Sequence, residues 1–432
     1  MDLNYQSKRV EFASGEESYL LVDKKTKCGL EYPGLYVMNR LRKKGTAANT
    51  IKKYMSSIAL LYSWADSSRI QLHKRIKERE FLVESELEDL ADACLINFKI
   101  TGDEKVTKIK ATKVVAPGNI KQKLKIKTTR SVEIPSVEPE TQYNRITMIA
   151  PYLRWLSVQL LEHESGTHRH SIKSMVDELK ECRPRKDRQA GFNPKSIDKG
   201  DMETLYEYVT PGSDKNPFKA KSADPKKIKG IQVRNELMFI MDHKLGVRAG
   251  ELCGIKIKDL HLMGGDGTVD IYRRPTDKAD TRADRAQVKT EARNLPIAGK
   301  LAKKIMDYLT YRDKVKGAKT CDYLFVTHEK SGTPSGSPLS LKAARRVFTQ
   351  LSEASGIKVT VHSLRHTWND DFSELADEEG MSEERELSLR RYLMGWGPRS
   401  KMPHYYAKRR NRKVANDALL RLQNKSMKGQ SL

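Results

Sequence analysis

Apolar residues recur at helical spacing over much of this chain. The pattern is helical from Tyr36 to about Phe98 and again from about Thr141 to Leu161. In the first run the spaced apolar positions are Ile51, Tyr54, Ile58 and Leu61. In the second run one face carries Ile146, Ile149, Leu153, Leu156 and Leu160. Both runs predict amphipathic helices that bury one face in a core.

A strand-like pattern interrupts the helical one further along. Three short segments joined by polar turns predict strands: Val269–Tyr272, Ala286–Lys289 and Arg293–Ile297. Helical patterns dominate around them, and a last helix is predicted from Asn416 to Leu422. The predicted fold class is therefore mainly α, with a small β-sheet or hairpin that makes the second half α+β.

At 432 residues the chain is too long for one ordinary core and is expected to form two domains. Residues 1–30 are polar, show no clear period and are assigned to an N-terminal arm. The stretch 183–196 is basic, contains Pro184 and Pro194, and has the composition of a linker. This places a helical domain at 31–182 and a second domain at 197–432.

The formal net charge of +25 far exceeds what solubility requires. Such an excess indicates a polyanionic partner, most often nucleic acid, although a merely lysine-rich protein would share it. Lysines are concentrated in residues 105–130, which contain no acidic residue. This basic insertion is interpreted either as a loop or hairpin laid on a phosphate backbone or, with equal weight, as a solvated insertion.

Cysteine spacing and hydropathy argue against several classes of protein. The five cysteines are scattered without a CxxC pair, so neither a zinc site nor a disulfide framework is expected. No run approaches the ~20 apolar residues that span a bilayer, and Met1–Val10 lacks the apolar core of a signal peptide. We expect a cytoplasmic protein without a membrane partner.

Candidate chemistry lies in two motifs and a pair of tyrosines. His362 and Arg365 are three residues apart, as are Arg248 and Glu251, so each pair shares one face of a helical turn. Arginine binds two phosphate oxygens at once, and tyrosine supplies an oxygen that can form a covalent phosphoryl-enzyme. Each pair alone is more often a helix salt bridge or a packed side chain. Their order along a basic chain points to cutting and rejoining DNA.

That order closely resembles the tyrosine recombinase (phage integrase) family. The matching segments are Gly246–Leu252, Lys289, His362–Thr367, Met394–Trp396 and Tyr405–Ala407. The resemblance covers roughly residues 190–425. Over residues 30–180 it is architectural only, a helical core-binding domain that would clamp DNA ahead of the catalytic domain.

The resemblance implies a role for each matching residue. Arg248 and Arg365 would hold the scissile phosphate and neutralise its growing charge. His362 would assist proton transfer, and Lys289 would protonate the departing 5′ oxygen. Trp396 occupies a position that holds His or Trp in the family, where it donates a hydrogen bond and packs. The family needs no metal ion or cofactor, and none is expected here.

The nucleophile is assigned between two adjacent tyrosines. In many family members the tyrosine follows the His/Trp position by nine residues, which here is Tyr405. This chain resembles a subset in which the tyrosine falls one residue later, before a small residue. That favours Tyr406, with Tyr405 as the alternative.

The general acid and the second histidine are also assigned from the resemblance. Lys278, Lys289 and Lys300 all lie near the predicted hairpin, and Lys289 precedes the Arg293–Ile297 strand at the expected distance. His366 matches the frequent second histidine of the family motif and is expected to be structural.

The implied activity is that of a site-specific DNA recombinase or integrase, which integrates, excises or transposes a mobile element. It would act through a 3′-phosphotyrosyl intermediate as a homotetramer on two double-stranded DNA sites, in association with the nucleoid. Accessory DNA-bending or directionality proteins are further possible partners. A type IB topoisomerase and a non-catalytic DNA-binding protein of the same fold are the alternatives.

Overall fold

The structure is a computed structural model that describes residues 3–98, 135–185, 196–221, 224–262, 265–274, 277, 279–282, 290–330 and 332–427. The backbone alone is described at 163, 165, 407–413, 417, 426 and 427. The basic insertion 105–130 and the predicted strand Ala286–Lys289 lie outside these ranges. The chain forms two compact units, Met1–Arg188 and Gln189–Leu432.

The first unit combines a hairpin with six helices in its described part. Its strands and helices are β1 (Tyr5–Glu11), β2 (Glu17–Asp23), α1 (Glu31–Tyr36), α2 (Ala48–Ser67), α3 (Leu72–Lys77), α4 (Glu84–Ala93), α5 (Pro139–Leu161) and α6 (Arg169–Glu181). A π-helical turn, Val37–Arg42, continues α1, and a 3₁₀ turn, Glu162–Ser165, follows α5.

The core of the first unit lies between α2 and α5. Ile58 and Leu61 of α2 and Ile149 and Leu153 of α5 are completely buried, as the helical spacing predicts. The antiparallel hairpin β1–β2 packs on α2 and adds Leu21 to the same core. Residues 3–30, to which the sequence assigned no element, are therefore an integral part of the first unit.

The second unit is mainly helical around a three-stranded sheet. Its elements are α7 (Lys199–Val209), α8 (Pro225–Leu245), α9 (Ala249–Leu252), β3 (Leu260–Leu262), β4 (Gly267–Ile271), β5 (Arg293–Ile297), α10 (Gly299–Arg312), α11 (Leu341–Ser355), α12 (Val361–Glu378), α13 (Glu383–Met394) and α14 (Met402–Met427). Short 3₁₀ turns lie at Ile257–Asp259 and Ala318–Thr320.

Helix α8 is the central element of the second unit. Asp224 caps its start by accepting a hydrogen bond from the Lys226 amide at 2.9 Å, and Pro225 occupies the first helical position. All side chains of its C-terminal half except Lys244 are buried, so the helix has almost no solvent face there. It ends at Gly246, whose φ of 57° is left-handed.

The strands form an antiparallel sheet in the order β3-β4-β5, with Val269 opposite Leu295. Strands β4 and β5 match two of the predicted segments, whereas β3 was not predicted because three residues are too few to show an alternation. The mainly α fold class with a small sheet is confirmed.

The last helix differs from its prediction. The sequence predicted a helix from Asn416 to Leu422, but α14 begins at Met402 and runs unbroken to Met427. The two candidate tyrosines therefore lie in its first turns rather than in a preceding loop. In the described part of the chain, no helix is long and apolar enough to cross a membrane.

Candidate active site

Arg248 lies in the turn between α8 and α9. The Glu251 carboxylate accepts a hydrogen bond from the Arg248 amide at 3.1 Å and a second from Arg248 Nη1 at 3.3 Å. Glu251 thus both caps the short helix and orients the guanidinium. The Arg248 side chain remains 36% exposed, so it can still contact a ligand.

Arg365 is held in the interior at the start of α12. Thr360 caps this helix by accepting from the Ser363 amide at 3.0 Å, and Ser363 Oγ accepts from the Thr360 amide at 2.8 Å. One turn later, Arg365 is 3% exposed and donates to Gly246 O and, at 3.2 Å, to Met394 O. Burial and the nearby Arg248 lower the pKa of Arg365 to about 10, so it stays charged at neutral pH.

His362 and His366 lie one turn apart on α12 and contact each other. Their Nε2 atoms are 3.0 Å apart, so one ring donates and the other accepts. His362 is exposed, whereas His366 is 3% exposed and its ring centroid lies 5.1 Å from that of Tyr406. His366 therefore packs between the surface histidine and the tyrosine.

Trp396 follows the turn that ends α13. Gly395 has a left-handed φ of 64°, and a Cβ there would lie 2.6 Å from Arg293 Nη1. A residue with a side chain would push the turn away from the sheet. The indole is 6% exposed, and its Nε1 is buried without a hydrogen-bond partner among the described residues. This N–H is thus available to a bound ligand.

The two adjacent tyrosines have different environments. Tyr406 is 5% exposed and belongs to a small cluster with Met394 and Trp396, whereas Tyr405 is 47% exposed. Burial raises the pKa of the Tyr406 phenol, and the positive charges of Arg365 and Arg248 partly oppose that rise. Of the two, Tyr406 is the one that shares the environment of both arginines.

A cavity of about 510 Å³ opens beside these residues and is lined by Arg248, His362 and Arg365. Its walls also include Arg345 of α11, which the sequence did not single out, and the apolar side chains Phe348 and Val361. An anion in this cavity would meet three guanidinium groups and one imidazole. Such a cluster stabilises the negative charge that develops on a phosphate in the transition state.

Of the three candidate lysines, the structure describes one. Lys289 and Lys278 lie outside the described residues. Lys300 is described, is exposed near the start of α10, and does not line the cavity. Lys289 remains a prediction.

Two residues of the site, Thr290 and Arg293, were not predicted from the sequence. Thr290 Oγ1 donates to Glu251 at 2.7 Å, and Arg293 Nη2 donates to the other oxygen of Glu251 at 2.7 Å. A signal was present for Arg293, because it shares a strand face with Leu295 and Ile297 and should therefore be buried with a partner. Its partner, Glu251, becomes apparent only in the folded structure.

No group of three or more His, Cys, Asp or Glu side chains with metal-binding geometry occurs in the described part of the chain. The basic side chains that line the cavity are arginines and a histidine. These side chains favour an anionic ligand over a cation.

Comparison with known proteins places these residues in context. Residues 219–380 match the model of the phage integrase family. The tyrosine recombinase XerA of Pyrococcus furiosus is 28% identical over 137 residues, which cover 32% of this chain and 40% of that protein. The tyrosine recombinase XerC of Halalkalibacterium halodurans is 26% identical over 145 residues, 32% of this chain and 41% of that protein.

This chain thus spans about 40% of the length of these curated relatives. Among solved structures, the XerH site-specific recombinase bound to its difH substrate aligns with a TM-score of 0.49 and 15% identity, over 90% of this chain and 86% of that chain. The matched family model includes the turn of Arg248 and the helix of His362 and Arg365. Residues 219–380 thus form the part of the chain that matches the phage integrase family, and the two curated relatives that resemble this chain are named tyrosine recombinases.

Proposed function

We propose that this protein is a site-specific DNA strand transferase, a recombinase or integrase that cuts and rejoins DNA through a 3′-phosphotyrosyl intermediate with Tyr406. One observation carries the proposal. Arg248, His362, Arg365, Trp396 and Tyr406 come from four separate segments and meet at one site. Two curated relatives that are named tyrosine recombinases support recombination over supercoil relaxation.

In the proposed reaction the Tyr406 oxygen attacks the phosphorus, and the bond from phosphorus to the 5′ oxygen breaks. Arg248 and Arg365 hold the non-bridging oxygens, and the free N–H of Trp396 donates to one of them. The contact between His362 and His366 gives the phenol proton a route away from the attacking oxygen. Lys289 supplies a proton to the leaving 5′ oxygen.

Neither a metal ion nor ATP is required in this scheme. The two arginines supply the positive charge that a metal would otherwise provide. The phosphotyrosyl bond retains the energy of the original phosphodiester, so a 5′-hydroxyl of another strand can reverse the step. Burial of Tyr406 against Trp396 favours strand transfer over hydrolysis, because water has little access to the bond.

The proposed partner is double-stranded DNA, held by the protein as a homotetramer on two recombination sites. The net charge of +25 supports the DNA partner. In α14, Val414, Leu419, Leu420 and Leu422 are all more than half exposed, a surface suited to a second subunit. Residues 31–182, the basic linker 183–196 and the insertion 105–130 would add further contacts to the DNA.

The test begins with the DNA junctions of the genetic element that encodes the chain, because their sequence defines the crossover site. A duplex of that sequence with a nick next to the scissile phosphate traps the covalent intermediate when the short cleaved strand diffuses away. We expect a protein–DNA adduct that survives denaturation and forms equally in EDTA. A protein that binds this duplex without forming an adduct would be the non-catalytic alternative, and a strict Mg²⁺ requirement would contradict the mechanism.

A further inference from the structure

Arg293 is a buried arginine outside the set of proposed catalytic residues. Its side chain is 1% exposed. Nε donates to Leu393 O at 2.8 Å, Nη1 donates to Thr290 Oγ1 at 3.1 Å, and Nη2 donates to Glu251 Oε2 at 2.7 Å. All three nitrogens of the guanidinium therefore donate within the protein, and the side chain is buried.

These contacts join the segments that carry the reacting groups. Glu251 orients Arg248, and Leu393 directly precedes Met394, whose carbonyl accepts from Arg365. The Gly395 turn is tied to the same place, because its carbonyl accepts from the Glu291 amide at 3.0 Å. One guanidinium thus fixes the Arg248 turn, the turn before Trp396 and the start of β5 in relation to each other.

The distances indicate how the charge of Glu251 is balanced. The Glu251 carboxylate is completely buried and is 2.7 Å from Arg293 but 3.3 Å from the side chain of Arg248. The shorter, buried pair is the stronger one, since the attraction increases as distance and exposure decrease. Without Arg293, a buried carboxylate would remain, and the remaining basic side chain that it contacts directly is Arg248.

We propose that Arg293 is a positioning residue that satisfies Glu251 and thereby keeps the Arg248 guanidinium free to bind the scissile phosphate. Its loss draws Arg248 toward Glu251 and loosens the turn before Trp396. This inference rests on the proposed function, because its readout is DNA cleavage.

The inference predicts a slower cleavage step with little change in DNA affinity. Arg293→Gln should lower the single-turnover rate of adduct formation at saturating DNA by about 10²-fold, since small misplacements of a reacting group have effects of that size. The Kd for the same duplex should change little, because binding is spread over many phosphate contacts. The cleavage rate of Arg293→Lys should lie between those of the wild type and Arg293→Gln, because an ammonium keeps the charge but cannot reach three acceptors.

The double variant Arg293→Gln with Glu251→Gln separates charge balance from simple structural support. Neutralising Glu251 removes the group that captures Arg248, so the double variant should recover most of the rate that Arg293→Gln loses. A merely structural role predicts that the second substitution lowers the rate further. Arg312→Gln is the matched control, since Arg312 is 1% exposed and donates to Tyr323 O and Leu324 O away from the cavity. It should lower the Tm without changing the rate per folded molecule.

Failure of this inference and failure of the proposed function would give different results. A folded Arg293→Gln variant with the wild-type rate, or a double variant slower than the single one, would overturn the inference and leave the proposed function intact. If Arg293→Gln does not fold, Arg293→Lys decides, and a wild-type rate in that variant would likewise overturn it. If the wild-type protein forms no adduct on the mapped duplex, the proposed function fails first and the inference fails with it.

Discussion

The ring of Tyr406 stacks on the indole of Trp396, with ring centroids 5.4 Å apart and planes 17° apart. The indole thereby packs against the face of the phenol, and the Arg365 guanidinium lies 5.6 Å from the centroid of the same indole. A single aromatic side chain thus positions both the proposed nucleophile and one of the two arginines that are proposed to hold the phosphate.

The first prediction separates the two tyrosines. Tyr406→Phe should abolish adduct formation while leaving DNA binding near wild type, because only the attacking oxygen is lost and the stacked ring remains. Tyr405→Phe is the matched control and should retain cleavage, since Tyr405 is about half exposed, whereas Tyr406 is buried. A denaturing gel of both variants on the nicked duplex measures the difference. An adduct with Tyr406→Phe but not with Tyr405→Phe would move the nucleophile by one residue.

The two arginines should differ in what their loss does to the fold. Arg248→Ala and Arg365→Ala should each reduce cleavage by roughly 10²–10³-fold, as expected when one charge-stabilising donor is removed. Lysine should restore only part of either loss, because it lacks the two-pronged geometry. Only Arg365→Ala should also lower the Tm, since its guanidinium binds two buried carbonyls. A near-normal rate in either alanine variant would remove that arginine from the site.

Trp396 offers a test of its unused N–H. Trp396→Phe keeps an aromatic face for Tyr406 but loses the donor, so cleavage should fall by about tenfold, the value of one hydrogen bond of roughly 1.4 kcal/mol. Trp396→His retains a donor and should be the more active of the two. Single-turnover rates at saturating DNA make the comparison. Equal rates for both variants would mean that the indole contributes packing alone.

The pH dependence of cleavage follows from the environment of Tyr406. Burial raises the pKa of the phenol, so at neutral pH the group is protonated and must lose its proton during attack. The single-turnover rate should therefore increase with pH between about 6.5 and 9, below the ~10 reference pKa of a phenol. Tyr405→Phe should show the same profile. A rate that is flat over this range would indicate that proton loss does not limit cleavage.

The basic insertion is tested by its salt dependence. If residues 105–130 lie on a phosphate backbone, replacing several of their lysines by glutamine should reduce the slope of log affinity against log salt by about one per lost contact. Preference among DNA sequences should be unaffected, since phosphate contacts carry no base information. An unchanged slope would identify the segment as a solvated insertion and transfer the contact to the linker 183–196.

Much of the fold was accessible from periodicity, and the failures have physical causes. The predicted helix Thr141–Leu161 matches α5 within two residues because its apolar positions fill one buried face. The first turns of α14 were missed because Tyr405 and Tyr406 were assigned from their motif, and the last helix was predicted only from Asn416 onward. The hairpin of residues 5–23 was missed because its strands pack on α2, a contact that spacing alone does not reveal.

The site was predictable to the extent that its residues form motifs. Arg248, His362, Arg365 and Trp396 were selected from their order along the chain, and the structure brings them together. The pairing of Arg293 with Glu251 joins residues 42 positions apart. Whether the two residues meet depends on how β5 packs against the turn after α8, and no local sequence pattern encodes that packing.

The hydrogen bonds of Arg365 have a consequence for the evolution of this site. Two of its protein acceptors, Gly246 O and Met394 O, are main-chain carbonyls, which every amino acid possesses. The side chain at position 394 can therefore change without removing that acceptor, provided that the backbone keeps its course. The conformations of Gly246 and Gly395 keep it there, so mutation is restricted at two residues that have no side chain at all. Divergent sequences can thus retain one arrangement of reacting groups.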